Sequence, residues 1–320
     1  MSETQPSALP SVSVRKAFDD VWIEVRYGAQ TDVGRRRGHN EDCYGMRFPL
    51  FVVADGMGGH KAGEVAASIA VEEMMTLAED EDFVAAPRIS EAVARAAQRV
   101  DKLGTGISAP GSTLTGLAVS THRAFPVARV FNIGDSRTYL LSQGDFQQLT
   151  RDHSQVQELI DSGTVTDVQA RALPMHNVIT RALGAGSGEH VLADQFLVPL
   201  TTGDRFIMCT DGLSGEVTDS LIEMVSRAVQ DPQELAEELV TMALNAGGKD
   251  NVTVVVVDIV DAGPVFDDVE GEEATQSTGD ANENTAKRQG DLRVHDTLPS
   301  ANGRRRVPEP IDAIEKGEEQ

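Results

Sequence analysis

The chain has 320 residues with 28 Lys and Arg against 51 Asp and Glu, a net charge of −23, and only 4% aromatic residues. Such an acidic chain lacks the basic stripe that displaces counterions from DNA or RNA, so a nucleic-acid-binding surface is excluded. No apolar run approaches the ~20 residues of a membrane-spanning helix, the start of the chain lacks the apolar segment of a secretory signal, and a cytoplasmic protein with no membrane partner is expected.

Residues 1–21 give weak structural signals and are expected to be a loosely ordered extension, with order beginning near Trp22. From there Val, Ile, Leu and Ala supply the volume for one large core. Strands are predicted over Ile23–Ala29, Leu50–Ala54, Thr113–Ser120, Val127–Ile133, Thr138–Leu141, Phe146–Leu149, Gln195–Val198, Arg205–Cys209 and Val252–Val260, each rich in β-branched residues and bounded by Gly, Asp or Pro. Helices are predicted in adjacent pairs, Glu64–Ala78 with Arg88–Leu103 and Asp219–Val229 with Pro232–Asn245. The last of these has Asp231 as N-cap and Pro232 at its first position. Short turns such as Ser142-Gln143-Gly144-Asp145 make neighbouring strands antiparallel hairpins. A further hairpin turn is expected around Asp135. The order fits an α/β (α+β) architecture in which a central antiparallel β-sandwich is flanked by two helical layers.

Past Asp261 the composition changes. The last 60 residues hold Phe266 as their only aromatic residue and carry 15 acidic against 7 basic side chains, too little apolar surface to offset the entropy of ordering. Residues 261–320 are therefore expected to be an acidic disordered tail, and 22–260 the folded domain. Cys43 and Cys209, each flanked by apolar residues, are expected to be reduced, buried thiols, and Met74, Met75, Met224 and Met242 core fillers. Arg304-Arg305-Arg306 is either a docking site for an acidic partner or without a role.

Carboxylates at strand ends carry the chemical information. Phe51-Val52-Val53-Ala54 runs into Asp55-Gly56, Val130-Phe131-Asn132-Ile133-Gly134 into Asp135, and Phe206-Ile207-Met208-Cys209-Thr210 into Asp211-Gly212, while Asp250-Asn251 precedes the run from Val252. Glu41-Asp42 follows an Arg-rich turn. An Asp after a strand is usually a turn residue, since its side chain bonds nearby amides. Were these carboxylates to converge, like charges at 4–5 Å would repel by roughly 3–4 kcal/mol at an effective dielectric near 20, so a cation must sit among them. With no His/Cys cluster of zinc spacing, all-oxygen ligation suits Mg²⁺ or Mn²⁺. A carboxylate bridging two such ions would give the two-metal geometry used in hydrolysis of phosphate esters.

Seven segments now carry a resemblance: Arg37-Gly38-His39-Asn40-Glu41-Asp42, Val53-Ala54-Asp55-Gly56-Met57-Gly58-Gly59-His60, Gly111-Ser112-Thr113, Asn132-Ile133-Gly134-Asp135-Ser136-Arg137, Asp152-His153-Ser154, Cys209-Thr210-Asp211-Gly212-Leu213 and Lys249-Asp250-Asn251. In this order, spanning about Tyr27 to Val260, the series resembles the bacterial form of the metal-dependent PP2C-type (PPM) protein phosphatases. The resemblance implies a β-sandwich between helical layers and hydrolysis of phosphoserine and phosphothreonine, opposing Ser/Thr kinases. It implies that Asp55 bridges two Mn²⁺ or Mg²⁺ ions, that the Gly56 carbonyl adds to one of them, and that Glu41, Asp211 and Asp250 complete the pair. Asp42 would then lie in the water shell, Arg37 would bind phosphate, and Asp135 with Asp211 would hold a third, weaker ion. The segment from Asp152 to about Ala185 is similar to the family's mobile flap. Phosphoproteins, Ser/Thr kinases and their targets are the implied partners, and a monomer is expected.

One position departs from the pattern. Animal members have a His two residues after the bridging Asp, thought to be a general acid, where this chain has Met57. His39, His60 and metal-bound water are the remaining proton sources. A non-catalytic phosphoprotein-binding adaptor, or a phosphatase dedicated to one regulator such as a sigma-factor antagonist, is the alternative function. The complete set of carboxylates argues against the adaptor.

Overall fold

Alternation along two central strands builds the layers. In the segment from Leu50, Phe51 and Val53 face one apolar cluster while Leu50, Val52 and Ala54 face another. In the segment from Val252, Val255, Val257 and Ile259 face the first cluster and Val252, Val254 and Val256 a third. A strand with both faces buried demands cover on both sides, which two stacked sheets with helices outside provide. The computed structural model describes residues 11–264 apart from 19–20, 60, 81–83, 105, 107–108, 123–124, 171–177 and 186–190. His60, Gly186-Ser187-Gly188, Asn177 and the segment after Pro264 with its Arg304-Arg305-Arg306 lie outside the described residues.

The chain runs β1 (Val12–Phe18), β2 (Val21–Asp32), β3 (Asp42–Arg47), β4 (Leu50–Met57), α1 (Lys61–Met75), α2 (Leu77–Asp80), α3 (Ala86–Asp101), β5 (Gly111–Ser112), β6 (Leu114–His122), β7 (Phe125–Ile133), β8 (Arg137–Ser142), β9 (Asp145–Gln148), α4 (Gln155–Asp161), α5 (Asp167–Ala170), β10 (Leu183–Gly184), β11 (Asp194–Pro199), β12 (Arg205–Cys209), α6 (Asp211–Ser214), α7 (Asp219–Ala228), α8 (Pro232–Ala246) and β13 (Val252–Pro264). One antiparallel sheet has the order β1-β2-β13-β12-β8-β9. The other has β10-β5-β4-β6-β7-β11, with β3 also on β4. The first cluster fills the space between the sheets. The second packs α1 and α3 on the β4 sheet, and the third packs α7 and α8 on the β13 sheet. All nine predicted strands are present, and Asp231 caps α8 by accepting hydrogen bonds from the Gln233 and Glu234 amides. The turn at Gln143-Gly144 has both residues at positive φ, 50° and 90°, matching the twist of a two-residue hairpin.

Five expectations need correction. The extension of residues 1–21 contains β1, paired with β2 from Val12↔Tyr27 to Phe18↔Val21, with the Arg15 guanidinium 4.0 Å over the Trp22 ring. It is an edge strand with Val14 packed on the core, so it carries almost no periodic apolar signal. β13 does not stop at Val260: past a bulge between Ile259 and Asp261 it pairs with β2 as far as Pro264↔Val21. Asp135 is not in a hairpin turn, because β7 and β8 belong to different sheets and the turn crosses between them. Met224 is 56% exposed on α7 beside Leu221, whereas Met74 is fully buried and Met75 and Met242 are partly so. The helix predicted over Glu64–Ala78 starts at Lys61 and breaks at Thr76 into α1 and α2.

Candidate active site

The sandwich places the predicted carboxylates at one end, where β4 and β12 finish and β3 and β13 begin. Asp42 and Asp55 are direct partners in the β3–β4 register. Asp211 opens α6 immediately after β12, and Asp250 precedes β13, whose N-terminal residues pair with β2. Asp135 reaches the same end from the turn that crosses between sheets, and is 6% exposed.

Hydroxyl and amide groups brace this end. Asp42 accepts hydrogen bonds from Thr210 Oγ1 at 2.8 Å and Thr253 Oγ1 at 2.7 Å, and the Thr253 amide donates to Thr210 Oγ1 at 3.0 Å. Thr113 Oγ1 accepts from the Asp55 amide at 2.9 Å and lies 2.7 Å from Ser136 Oγ. Asn251 ties the Arg-rich loop to β13: its Oδ1 accepts from the Glu41 amide, and its Nδ2 donates to the carbonyls of Val33 and His39. Gly56 is required by close approach, since a Cβ there would collide with the Gly63 carbonyl. A Cβ on Gly63 would in turn collide with Glu41 Oε2. The Glu41 carboxylate is therefore lodged against the start of α1, and the Gly56 amide donates to the Glu41 carbonyl at 3.1 Å.

Electrostatically the group is frustrated. Burial, followed by the charges of Asp42, Asp211, Asp135 and Asp250, holds the Asp55 carboxyl well above the usual carboxylate range. Burial and then Asp211 and Asp152 do the same to Asp135. Burial pushes Asp42 up to about 7 despite its two threonine hydrogen bonds, and burial with the nearby Asp250 charge pushes Asp211 up to about 6. Asp42 Oδ1, Asp135 Oδ1 and Asp211 Oδ1 are each enclosed without a hydrogen-bond donor. The Arg37 guanidinium, half-exposed at the rim, donates to Asp250 Oδ2 at 2.7 Å.

Among the described residues no three His, Cys, Asp or Glu side chains form a closed ion cage. The donors nevertheless fit divalent cations: they are all oxygen, three enclosed oxygens have no donor, and the raised carboxyls register a repulsion that positive charge would relieve. Hard Mg²⁺ or Mn²⁺ is the match, as the sequence predicts. His39 is exposed, Met57 pairs with Gly111 in the β4–β5 register, and Cys209 lies buried at the end of β12, two residues before Asp211, with its thiol pushed by burial up to about 12. Sequence reasoning passed over Thr253 and gave Thr210, Asn251 and Thr113, though they lie in the segments that carry the resemblance, no bracing role. Their only signal is adjacency to the carboxylates, which does not reveal that Thr210 and Thr253 meet across two strands.

A second polar network adjoins the site. Arg137 Nε and Nη2 donate to Asp152, and His153, 6% exposed, bonds on one side to the Gly134 amide and on the other to Asp194.

A family model described as Protein phosphatase 2C matches residues 39–253, a span that takes in Glu41, Asp55, Asp135, Asp211 and Asp250. Serine/threonine protein phosphatase PstP of Mycobacterium tuberculosis is 39% identical over 251 residues, 75% of this chain and 46% of PstP, so the chain spans about half the length of that relative. Serine/threonine phosphatase stp of Listeria monocytogenes is 35% identical over 238 residues, 72% of this chain and 94% of stp. The crystal structure of Mycobacterium tuberculosis PstP/Ppp superposes with a TM-score of 0.66 at 34% identity, covering 73% of this chain and 98% of that one. The catalytic domain of PstP in complex with 2 manganese ions gives the same TM-score and identity, over 74% of this chain and 99% of that one. By the family match over residues 39–253 and by relatives of this identity and coverage, this chain belongs to the protein phosphatase 2C family.

Proposed function

We propose that this chain hydrolyses phosphoserine and phosphothreonine in proteins, at a site that holds Mn²⁺ or Mg²⁺. The observation that carries the reading is the convergence of Asp42, Asp55, Asp135, Asp211 and Asp250 at one end of the sandwich, three of them with an enclosed oxygen that has no donor. The relatives' names as serine/threonine phosphatases, and the two manganese ions in the PstP catalytic domain, support it.

In this reading Asp55, Glu41, Asp211, Asp250 and the Gly56 carbonyl would hold two cations, with Asp55 shared between them, and Asp135 with Asp211 would hold a third, weaker one. Cations there supply the charge that polarises a phosphoryl group and acidifies a water. The other steps belong to side chains. Arg37 presents a planar fork suited to two phosphoryl oxygens from its place on the rim. Asp42, held by Thr210 and Thr253, keeps its free Oδ1 available to order water. The reaction proposed is direct hydrolysis by water, with no covalent phosphoenzyme. A cytoplasmic signalling role as a monomer acting on Ser/Thr kinases and their targets is part of the proposal. It agrees with the free thiols of Cys43 and Cys209 and with the lack, among the described residues, of a helix long and apolar enough to cross a membrane.

Phosphate release from a phosphothreonine peptide tests the reading directly. Turnover is expected with Mn²⁺ and none in excess chelator. Equal turnover in both conditions would falsify it.

A further inference from the structure

His153 is buried, lies in a segment singled out by the sequence, and has no part in the chemistry so far described. Its ring is doubly committed. The Gly134 amide donates to Nδ1 at 3.0 Å, so that nitrogen carries no proton and the neutral ring bears its hydrogen on Nε2, 3.1 Å from Asp194 Oδ2. Asp194 is fixed in turn by Arg181 Nη1 at 2.5 Å and by its place opposite Asn132 in the β11–β7 register.

The backbone of His153 is engaged as fully as its ring. Its amide donates to the Gly134 carbonyl at 2.9 Å, and its carbonyl accepts from the Thr180 amide at 2.8 Å. Ser154 bridges to Ile179, and the Gln155 amide donates to the Val178 carbonyl. One residue therefore joins the turn that presents Asp135 to both roots of the segment between 155 and 178. That turn has little freedom of its own. Gly134 sits at φ +97°, and a Cβ there would come within 2.6 Å of Thr113 Cγ2, so only glycine fits, and a glycine's amide is held by the acceptor it finds, here His153 Nδ1.

We infer that His153 is a positioning residue: through Nδ1 it fixes the Gly134 amide and so aims the Asp135 carboxylate, and through Nε2 it anchors the Ser154–Ile179 bridge to Asp194. The inference rests on the proposed phosphatase reading only for its effect on turnover. Its physical basis is that the two ring nitrogens serve different loops, which makes the two functions separable by substitution. In His153→Asn the side-chain oxygen takes the place of Nδ1 and keeps the acceptor for Gly134, while the reach to Asp194 is lost. His153→Gln places its amide where Nε2 was, keeps the reach to Asp194 and loses the acceptor. His153→Ala loses both.

The experiment compares the three variants with the full-length protein. Exchange of the Gly134 amide hydrogen is followed by NMR in metal-free protein, with melting temperature as the control for folding. kcat and KM are measured on a phosphothreonine peptide across a Mn²⁺ titration. In His153→Ala, Gly134 exchange should rise at least tenfold, kcat should fall at least tenfold with KM within twofold, and half-maximal activity should require several-fold more Mn²⁺. His153→Asn should restore slow exchange and bring kcat within about threefold of the parent, while His153→Gln should behave as Ala at Gly134. The inference is overturned if Asn is no better than Ala, if Gln rescues as well as Asn, or if Ala leaves Gly134 exchange unchanged. Should the parent protein hydrolyse no phosphopeptide, the proposed function fails, yet the order of Gly134 exchange among the variants still decides the role of His153.

Discussion

Replacing Asp211 by Asn should make the metal-free protein more stable, and the size of the gain follows from the site. Burial, then the charge of Asp250, raises this carboxyl from 3.8 to about 6. Each pK unit corresponds to ~1.36 kcal/mol, so an ionised Asp211 costs the fold about 3 kcal/mol. The unfolded chain ionises near 3.8 while the folded one holds its proton to higher pH. Stability is thus intact below pH 4, declines as pH rises through 6, and is fully reduced at pH 8. Asn removes the charge and keeps a hydrogen-bonding partner for Asp55. For a domain of this size ~1 kcal/mol moves the melting temperature by roughly 2–4 °C, so a rise of about 6–12 °C is expected at pH 8 in chelator. The gap should close as pH approaches 4. In Mn²⁺ the order should reverse, because cation at a thousand times its Kd stabilises the parent by ~4.1 kcal/mol, more than removal of the charge gains, and the variant loses a ligand. Melting followed by circular dichroism at pH 4 and 8, with chelator or Mn²⁺, gives all four values. A variant that melts below the parent in chelator at pH 8 refutes the argument that these carboxylates repel one another in a buried, cation-free site.

Three further outcomes are expected. Arg37→Ala should raise KM for a phosphothreonine peptide about tenfold with kcat nearly unchanged, since a phosphate clamp at the rim holds ground state and transition state alike; a kcat loss at constant KM in steady-state kinetics would place Arg37 in the chemical step. A chain ending at Pro264 should melt within a few degrees of the full chain, whereas one ending at Val260 should melt several degrees lower. The shorter chain loses the β13 pairs from Asp261↔Glu24 to Pro264↔Val21 and the Thr202 hydrogen bond to Asp261, and calorimetry of the two truncations compares them. Arg205→Ala should cost about 3–5 kcal/mol in a urea titration, because it strands buried Asp258 and the carbonyls of Ser226, Val229 and Gln230 that the guanidinium now satisfies; a loss under 1 kcal/mol would show that water replaces it.

Much of this protein is written locally in its sequence. Strand segments such as Leu50–Ala54 and Val252–Ile259 are buried on both faces, and their β-branched runs announce them without knowledge of their partners. The cap at Asp231 and the turn at Gln143-Gly144 are legible for the same reason, since a few adjacent residues set the backbone. Carboxylates at strand ends are legible as a pattern, and the order of the seven segments points to a family. β1 stays hidden because an edge strand draws its stability from pairing with β2 and carries little apolar periodicity of its own. The exposure of Met224 depends on which face of α7 meets α8, which composition does not specify. Tertiary structure alone decides that Thr210 and Thr253 meet at Asp42, that Arg37 reaches Asp250, and that His153 stands between Gly134 and Asp194. Local propensity acts over a turn or a strand, while these contacts join residues 19 to more than 200 positions apart, and only sheet register and layer packing bring them within hydrogen-bond distance.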